Sequence, residues 1–545
     1  MIQKVVAFTY SLILSIDIVI SATYFKTLWR QGEDYTAGLN LSYATKKNII
    51  ILCILTILIF YVLKKIKIKL ERVKITNDNT PCLESNKIYL VSILLNFTSW
   101  GLWFMVFAPG AGMNDTLNTL MTRCTVNNCP IVYQGMMWYG MRIFVALTGS
   151  MYRGYACLTL VQMLLCSLTF SSVIKWLSDK KIKRTILCVL MLYYSFLPVI
   201  ADYSITLVKD TLFAAFLLDF VILLYDVMES KGNNLGRRSN TIKLIFVSIA
   251  MCCFRSNGAM VCIASLIILC TVIKKQKKKL VIALLAVCIA NFGIGYLEQI
   301  NFEEDVKFRE SCGVLMAQIG AVLNDSNASI DPDDIEVLNQ ILPVEIWKSQ
   351  YRPSFADTIK FNPNFNNKFL NENKTLFIKT WFHIMTKNLK IYVKAYICHS
   401  YGYWGILPYP PDISQSAFTS INNNTGKDSI WGQFCLENGL INHPILPAKL
   451  NDALKNIYIK ALRLNFIVTP GLMLFMVLGC IAILFAKHRV DVCVPCMPIL
   501  ATWGTMMIAS PASLIYRYSY YFVLTVPVVI VMTILKYTEK QPEKV

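Results

Sequence analysis

The stretch IYLVSILLNFTSWGLWFMVFA, residues 88–108, determines the fold class of this chain. Its 21 residues include no charged side chain, and a helix of that length can cross the hydrocarbon core of a bilayer. Pro109 and Gly110 follow directly and end the helix, because both residue types favour turns. Asp115 lies in the loop that comes next. The sequence therefore predicts a carboxylate at the mouth of a transmembrane helix.

The composition extends this prediction to the whole chain. Of its 545 residues, 55% are hydrophobic and only 16% are charged, whereas soluble globular proteins carry about 25% charged residues. We therefore predict an all-α polytopic membrane protein with about twelve transmembrane helices. The predicted spans are residues 5–25, 48–63, 88–108, 153–177, 185–201, 211–228, 242–255, 258–273, 280–297, 466–486, 492–510 and 518–536.

Basic residues mark one side of the predicted membrane. They gather in short loops after every second span, at residues 64–69, 180–184, 237–238, 274–279 and 487–489. Loops rich in lysine and arginine stay in the cytoplasm, so this pattern places both termini there. The loop with Asp115 is then extracytoplasmic, and so is the long hydrophilic segment 298–465.

This topology divides the chain into four parts. Residues 1–87 form an N-terminal transmembrane hairpin and a basic cytoplasmic loop. Residues 88–297 form a transmembrane core that includes a first outer loop, 109–152. Residues 298–465 form an extracytoplasmic insertion that is mixed or mainly helical. Residues 466–545 contain the last transmembrane helices and a short cytoplasmic tail.

Several classes of function are disfavoured by the same sequence. The net charge of +20 resides in the topogenic loops, and no basic-aromatic platform accompanies them, so the expected partner is the lipid bilayer and not nucleic acid. The chain has no Walker loop, no dinucleotide glycine motif and no His-Glu-x-x-His zinc motif. A pump driven by nucleotide hydrolysis is therefore not expected.

The 18 cysteines fall mainly in apolar runs, where a thiol behaves as a small hydrophobic group. Cys124 and Cys129 differ, because both lie in the outer loop that follows Asp115. A disulfide between them is compatible with an extracytoplasmic position.

Five cations lie on the predicted outer face, against the topological trend: Lys209, Arg255, Arg517, Arg142 and Arg153. A cation kept outside against that bias needs an anionic partner. Phosphate is one candidate, since arginine offers a bidentate fork and lysine a compact charge. Pairing with the carboxylates of Asp115, Asp202 or Asp210, or with lipid headgroups, is the alternative.

The ordered set of short motifs over residues 88–410 resembles the C-type glycosyltransferase superfamily (GT-C fold), in particular a bacterial branch of polytopic membrane proteins. The motifs are Pro109-Gly110, Asn114-Asp115-Thr116, Asn128-Cys129-Pro130, residues 205–210, residues 255–258, residues 317–320, and Tyr351-Arg352-Pro353 followed by Asp357 and Lys360. One departure is Cys129, at a position where relatives often carry histidine.

The resemblance implies a polyprenyl-phosphate-linked sugar donor, an extracytoplasmic glycan or lipid acceptor and a location in the bacterial cytoplasmic membrane. Asp115 matches the acidic residue that acts as catalytic base or assists a metal. A divalent cation, Mg²⁺ or Mn²⁺, is compatible with this chemistry, but the sequence shows no closed ligand set. The predicted substrate-binding residues are Asn114, Lys209, Asp210, Arg255, Asn257, Arg517, Gln318, Tyr351, Asp357 and Lys360.

Three alternatives stay open at this point. Asn114 and Asp115 could simply cap the start of a helix. The protein could be a flippase or transporter for lipid-linked sugars, although such proteins place charged sites near the bilayer midplane. It could also be a polysaccharide polymerase or ligase, which would differ in using a diphosphate-linked donor.

Overall fold

The computed structural model describes residues 2–31, 46–71, 75–76, 85–122, 129–406, 430–462, 467–487, 489–509, 512 and 515–538. Within these ranges the chain is almost entirely α-helical. The first half contains α1 Ile2–Gln31, α2 Lys46–Leu70, α3 Ser85–Val106, α4 Asn114–Thr122, α5 Ile131–Thr148, α6 Met151–Asp179, α7 Arg184–Phe196, α8 Pro198–Ile205, α9 Lys209–Glu229, α10 Arg238–Phe254, α11 Gly258–Val272 and α12 Lys277–Asn301.

Shorter helices follow, and then the last three apolar ones. They are α13 Lys307–Ser311, α14 Gly313–Leu323, α15 Pro332–Ile341, α16 Val344–Gln350, α17 Asp357–Lys360, α18 Asn367–Glu372, α19 Lys374–Lys387, α20 Leu389–Ser400, α21 Ile430–Glu437, α22 Ala448–Leu462, α23 Pro470–Ala486, α24 Met497–Ala509 and α25 Tyr520–Thr538. Short 3₁₀ helices Val490–Cys496 and Tyr516–Ser519 lead into α24 and α25. The all-α class predicted from the sequence is confirmed.

In the part of the chain that the structure describes, eight helices are long and apolar enough to cross a membrane. A ninth span is formed if α7 and α8, which meet at a bend of 52°, are taken together. The other three predicted spans lie on α10, α11 and α23, which have 17, 15 and 17 residues. The chain is thus a multi-pass membrane protein, and among the described residues length and apolarity support eight spans, or nine with the bent pair; about twelve spans stay a prediction.

α9 and α25 form the centre of the helix bundle. In each of them 78% of the most apolar window is buried, compared with 6% in α2. Both helices are mostly apolar, as expected for helices surrounded by other helices, although α9 also contains Asp219 and Asp226. The two pack against each other, so the residues at their ends are brought close together.

Residues 302–400 form a second, smaller helical unit with its own hydrophobic core, centred on Met316, Leu338 and Trp347. Its contacts with the helix bundle include two backbone anchors. Phe355 pairs with Ala512 in an isolated antiparallel bridge, and the Tyr396 hydroxyl donates to the Met507 carbonyl at 3.2 Å. The unit therefore lies over the beginning of the segment that leads into α25.

Candidate active site

A two-residue parallel ladder brings the two halves of the site together. β1, Ala111–Gly112, pairs with β2, Thr206–Leu207. α4 begins just after β1 and carries Asp115 in its first turn, while α9 begins just after β2 with Lys209 as its first residue. The ladder therefore fixes the beginnings of two helices side by side.

Buried polar side chains hold this ladder in place. Thr116 donates its hydroxyl to the Leu207 carbonyl at 2.6 Å, and Tyr155 donates to the Ala111 carbonyl at 2.9 Å. The Gln162 amide donates to the Thr206 carbonyl at 2.7 Å. Because a buried carbonyl without a partner would cost free energy, these bonds favour one arrangement of the two loops.

Asp115 accepts two charge-assisted hydrogen bonds at one oxygen. Its Oδ2 lies 3.0 Å from Lys209 Nζ and 3.0 Å from Arg517 Nη1. The carboxylate side chain is 21% exposed, and each cation only 11%. Burial alone would raise the pKa of Asp115, but the charges of Arg517 and Lys209 outweigh it and hold the pKa well below its usual range.

A second carboxylate, Asp210, extends this cluster. Its Oδ1 accepts from Arg255 Nη1 at 2.8 Å, and its Oδ2 lies 3.8 Å from Arg517 Nε. Arg517 thus contacts both carboxylates. The charge cluster, defined as Asp115, Lys209, Asp210, Arg255 and Arg517, joins residues from the starts of α4 and α9, the end of α10 and the 3₁₀ turn before α25.

Lys209, Arg255 and Arg517 therefore meet, as the sequence suggested, and they pair with carboxylates. That was the alternative to phosphate. The start of α4 does not follow the capping alternative: the Met113 carbonyl accepts from the Thr116 and Leu117 amides, so Met113 is the N-cap residue and Asn114 and Asp115 lie in the first turn. The Asp115 side chain itself is held by Lys209 and Arg517.

Tyr518 is a part of the site that sequence reasoning missed. Its ring lies 5.2 Å from the Arg255 guanidinium and 5.0 Å from that of Arg517, and its hydroxyl accepts from Arg517 Nη2 at 3.1 Å. An aromatic ring between two arginines spreads them apart and attracts both. The available signal was its position directly after Arg517.

Cys129 also contacts the charge cluster. Lys209 Nζ lies 2.9 Å from its Sγ, and the side chain is buried. Burial raises the pKa of the thiol and the charge of Lys209 lowers it, but burial has the larger effect and the pKa is about 12. The side chain is therefore a neutral thiol. Cys124, its predicted disulfide partner, lies outside the described residues. The position where the resemblance led us to expect histidine is therefore next to the cluster.

Asn257 and Asn114 lie at the edge of the cluster. The Asn257 amide donates to Thr505 at 2.6 Å, one residue from Met506, whose sulfur lies 3.4 Å from Arg255 Nη2. The buried Asn257 Oδ1 has no hydrogen-bond partner. Asn114 is exposed at the start of α4.

The remaining predicted residues lie in the smaller helical unit. Gln318 accepts from Trp381 Nε1 at 3.0 Å within its core, and the Tyr351 ring packs against Gly320. Lys360 is fully buried and pairs with Asp357 and Glu310, each at 2.8 Å. Lys360 is shielded from solvent, while Glu310 and Asp357 are 27% and 19% exposed, and the pairing joins α13 to α17.

Asp357 is the link between that unit and the charge cluster. Its carboxylate interacts electrostatically with the hydroxyl of Tyr518. The bridge between Phe355 and Ala512 holds this segment against the bundle. Asp357 is therefore the predicted residue of the smaller unit that the fold brings towards the cluster.

Among the described residues, one group of three metal-type ligands has its atoms close together: Asp331, Asp334 and His383. It lies in the smaller helical unit, and Lys387 already binds Asp331. At Asp115 both cations bind the same oxygen, Oδ2, and the charge cluster already holds three cations against two carboxylates. The charge cluster in this form does not fit a divalent cation.

Comparison with known proteins gives one match. The model of a protein family described as "Family of unknown function (DUF6020)" matches residues 122–545. No curated protein and no solved structure matches the chain. The matched region includes Lys209, Asp210, Arg255 and Arg517, and it begins after Asp115. Because the match spans more than half of the sequence, the chain belongs to this family of unknown function, DUF6020.

Proposed function

We propose that this protein is a membrane glycosyltransferase of the C type. It moves a sugar from a polyprenyl-phosphate-linked donor to an extracytoplasmic glycan or lipid acceptor of the bacterial cell envelope. The observation that carries the proposal is the contact of Asp115 with Lys209 and Arg517, a partly exposed carboxylate between two cations. The resemblance of the motif order to the C-type superfamily adds to it.

The position of the charge cluster along α9 supports a reaction at one membrane surface. α9 has 21 residues, or about 30 Å of helix, which is the thickness of the hydrocarbon core. Lys209 and Asp210 lie at its first turn. At its other end Glu229 pairs with Lys180 and Lys536. Two charge clusters thus lie at opposite ends of one buried helix, and Asp219, the single acid at its middle, belongs to neither.

This placement favours a transferase over a flippase. The phosphate of a polyprenyl-linked sugar resides at the membrane surface, where Lys209, Arg255 and Arg517 lie under the proposed topology. Transporters of the alternative class hold substrate charges near the midplane. The proposed orientation has both termini in the cytoplasm and the cluster on the extracytoplasmic side, as the basic loops indicate.

The proposed reaction is a single displacement with a balanced transfer of charge. The acceptor oxygen forms a bond to the anomeric carbon while the bond from that carbon to the phosphate oxygen breaks. The electron pair remains on the departing lipid phosphate. The acceptor proton passes to the Asp115 carboxylate, which acts as general base. Lys209 and Arg517, with Arg255 behind them, stabilise the charge that gathers on the phosphate.

Donor binding also explains how a carboxylate of low pKa can accept a proton. In the ligand-free protein the two cations make Asp115 a weak base. A donor phosphate would compete for Lys209 and Arg517, and each hydrogen bond that moves to phosphate raises the pKa of Asp115. The base is thus activated only when the donor is bound. No step is assigned to a divalent cation, since Asp115 already holds two cations.

The test is transfer from a polyprenyl-phosphate sugar by the full chain in proteoliposomes, comparing Asp115→Asn with Asp333→Asn. Asp333 is an exposed carboxylate in α15 and serves as the matched control. We expect a loss of at least about a hundredfold for Asp115→Asn, in the range of general-base catalysis, and no loss for the control. Full transfer by Asp115→Asn would refute its assigned role.

The same preparation separates the alternatives. Movement of the lipid-linked sugar across the bilayer with its glycosidic bond intact would favour a flippase. Transfer from a diphosphate-linked oligosaccharide, with none from a monophosphate-linked sugar, would favour a polymerase or ligase.

A further inference from the structure

A cavity of about 570 Å³ lies at the end of the bundle opposite to Asp115. It opens between the ends of α9, α11 and α25 and the 3₁₀ segment before α24. Its charged lining consists of Lys231, Lys274, Lys275, Arg489, Lys536 and Glu229. The volume falls in the range of small-molecule binding sites.

The charge of this basic cavity is strongly positive. Among the described residues that line it, five are cationic and one, Glu229, is acidic. The Glu229 carboxylate binds Lys180 from α6 and lies 2.5 Å from Lys536 Nζ. The lining therefore carries more positive than negative charge and attracts anions, most strongly a group that several cations can approach together.

The walls of the cavity are fixed by the fold. Gly232, with φ +87°, lies so close to the next loop that an added Cβ would be 2.6 Å from the Lys275 carbonyl. Lys279 donates to the Gly236 carbonyl at 3.0 Å and so ties the same two loops together. The turn with Lys231 and the loop with Lys274 and Lys275 thus hold their cations over one space, unlike a freely solvated basic run.

The cavity lies at the level where the bundle meets the membrane surface. It is bounded by the last turn of α9, the last turn of α25 and the loop directly before α12. These three helices are candidate membrane spans. Met228, Val272 and Val492 supply an apolar wall beside the cations. Phosphate bears the charge and the multiple acceptor oxygens that such a lining binds, and the apolar wall suits the glycerol and first methylenes of a lipid.

We propose that the basic cavity is a binding site for a phosphate-bearing headgroup, that of an anionic phospholipid. It is separate from the charge cluster around Asp115 by the length of α9. Each lysine close to an anionic lipid strengthens its binding about fivefold, so removing two should weaken it about 25-fold.

The experiment is titration of the purified full chain in detergent with phosphatidylglycerol, with bound lipid counted by native mass spectrometry. The test variant is Lys274→Gln with Lys275→Gln. The matched control is Lys277→Gln with Lys278→Gln, two exposed lysines of the same loop that do not line the cavity. All four are exposed, so the variants are expected to fold.

The expected result is about 25-fold weaker binding of phosphatidylglycerol by the test variant and little change in the control, with weak binding of phosphatidylcholine by all three. Glycerol 3-phosphate and inorganic phosphate are titrated in parallel. Binding of either one to the wild type and control, but not to the test variant, would keep the phosphate site and assign it a soluble occupant. Equal loss in both variants would show unspecific surface attraction and overturn the proposal, as would no loss in either.

Discussion

Removal of the Asp115 charge tests the charge cluster most directly, because this one carboxylate separates two buried cations. Asp115→Asn keeps the shape of the side chain and removes its charge. Lys209 and Arg517 then face each other, each only 11% exposed. The carboxylate that remains close to Arg517 is Asp210, whose Oδ2 lies 3.8 Å from Nε.

The size of the effect follows from these contacts. A hydrogen bond to a charged group contributes about 1.5–3 kcal/mol, and Asp115 accepts two. Breaking a fully buried ion pair costs about 3–5 kcal/mol. Since Asp115 is 21% exposed, we expect Asp115→Asn to lower the free energy of unfolding by about 3 kcal/mol, at the lower end of that range.

Arg517→Gln should also destabilise the fold, but the two losses should not add. Once residue 115 is neutral, removing Arg517 loses its hydrogen bond to that residue but also relieves its repulsion with Lys209. The double variant should therefore be more stable than the sum of the single losses predicts, by about 1.5 kcal/mol. The assay is unfolding in mixed detergent micelles, with Asp333→Asn as the surface control. Additive losses within about 0.5 kcal/mol would refute the coupling.

Three further predictions concern pH, backbone geometry and thiol chemistry. The pKa of Asp115 is lower in the folded state than in the unfolded state, so its carboxylate stabilises the fold fully above its ordinary pKa of about 4 and loses this effect as pH falls below that value. The difference in free energy of unfolding between wild type and Asp115→Asn should therefore be constant from about pH 5 to 8 and become smaller in acid. Gly110→Ala should lower the free energy of unfolding by about 2 kcal/mol in the same assay, because Gly110 has φ +116° and an added Cβ would lie 2.5 Å from Thr159 Oγ1. The control is Gly101→Ala, which has open space around the added Cβ and should not destabilise the protein. Cys129, whose thiol has a pKa of about 12, should resist alkylation by iodoacetamide at pH 8 in the folded protein and react after denaturation in SDS. Peptide mass spectrometry measures the labelling, and rapid labelling of the folded protein would contradict the burial of Cys129 beside Lys209.

The helix pattern could be read from the sequence because it depends on local apolarity. Each of the twelve predicted spans falls on a helix or, in one case, on the bent pair α7 and α8. Lengths were less predictable. α10 and α11 meet at the turn that contains Arg255 and Asn257, so their helices end earlier than a bilayer requires. Such a break depends on packing with neighbouring helices as well as on residue type.

The members of the charge cluster were also visible in the sequence, because cations on the predicted outer face oppose the topological rule. Asp115 and Asp210 were among their candidate partners, but which carboxylate pairs with which cation was not predictable. Asp115 lies 94 residues from Lys209 and 402 from Arg517, and no local pattern encodes such contacts. The two-residue β ladder that joins their loops is too short to give an alternating pattern. Tyr518 and Cys129 were missed as cation partners for the same reason.

The charges of the cluster carry a consequence for the donor. Lys209, Arg255 and Arg517 against Asp115 and Asp210 leave one net positive charge in the ligand-free site. A polyprenyl-phosphate sugar is a phosphodiester of charge −1, so its binding neutralises the site. As the sugar leaves, the phosphate approaches −2 while Asp115 gains a proton, and the total stays at zero. A diphosphate-linked donor would add one more negative charge at every stage, with no cation of the cluster to offset it. The charge balance thus favours a monophosphate donor, and a higher transfer rate from a diphosphate-linked donor of the same sugar would contradict it.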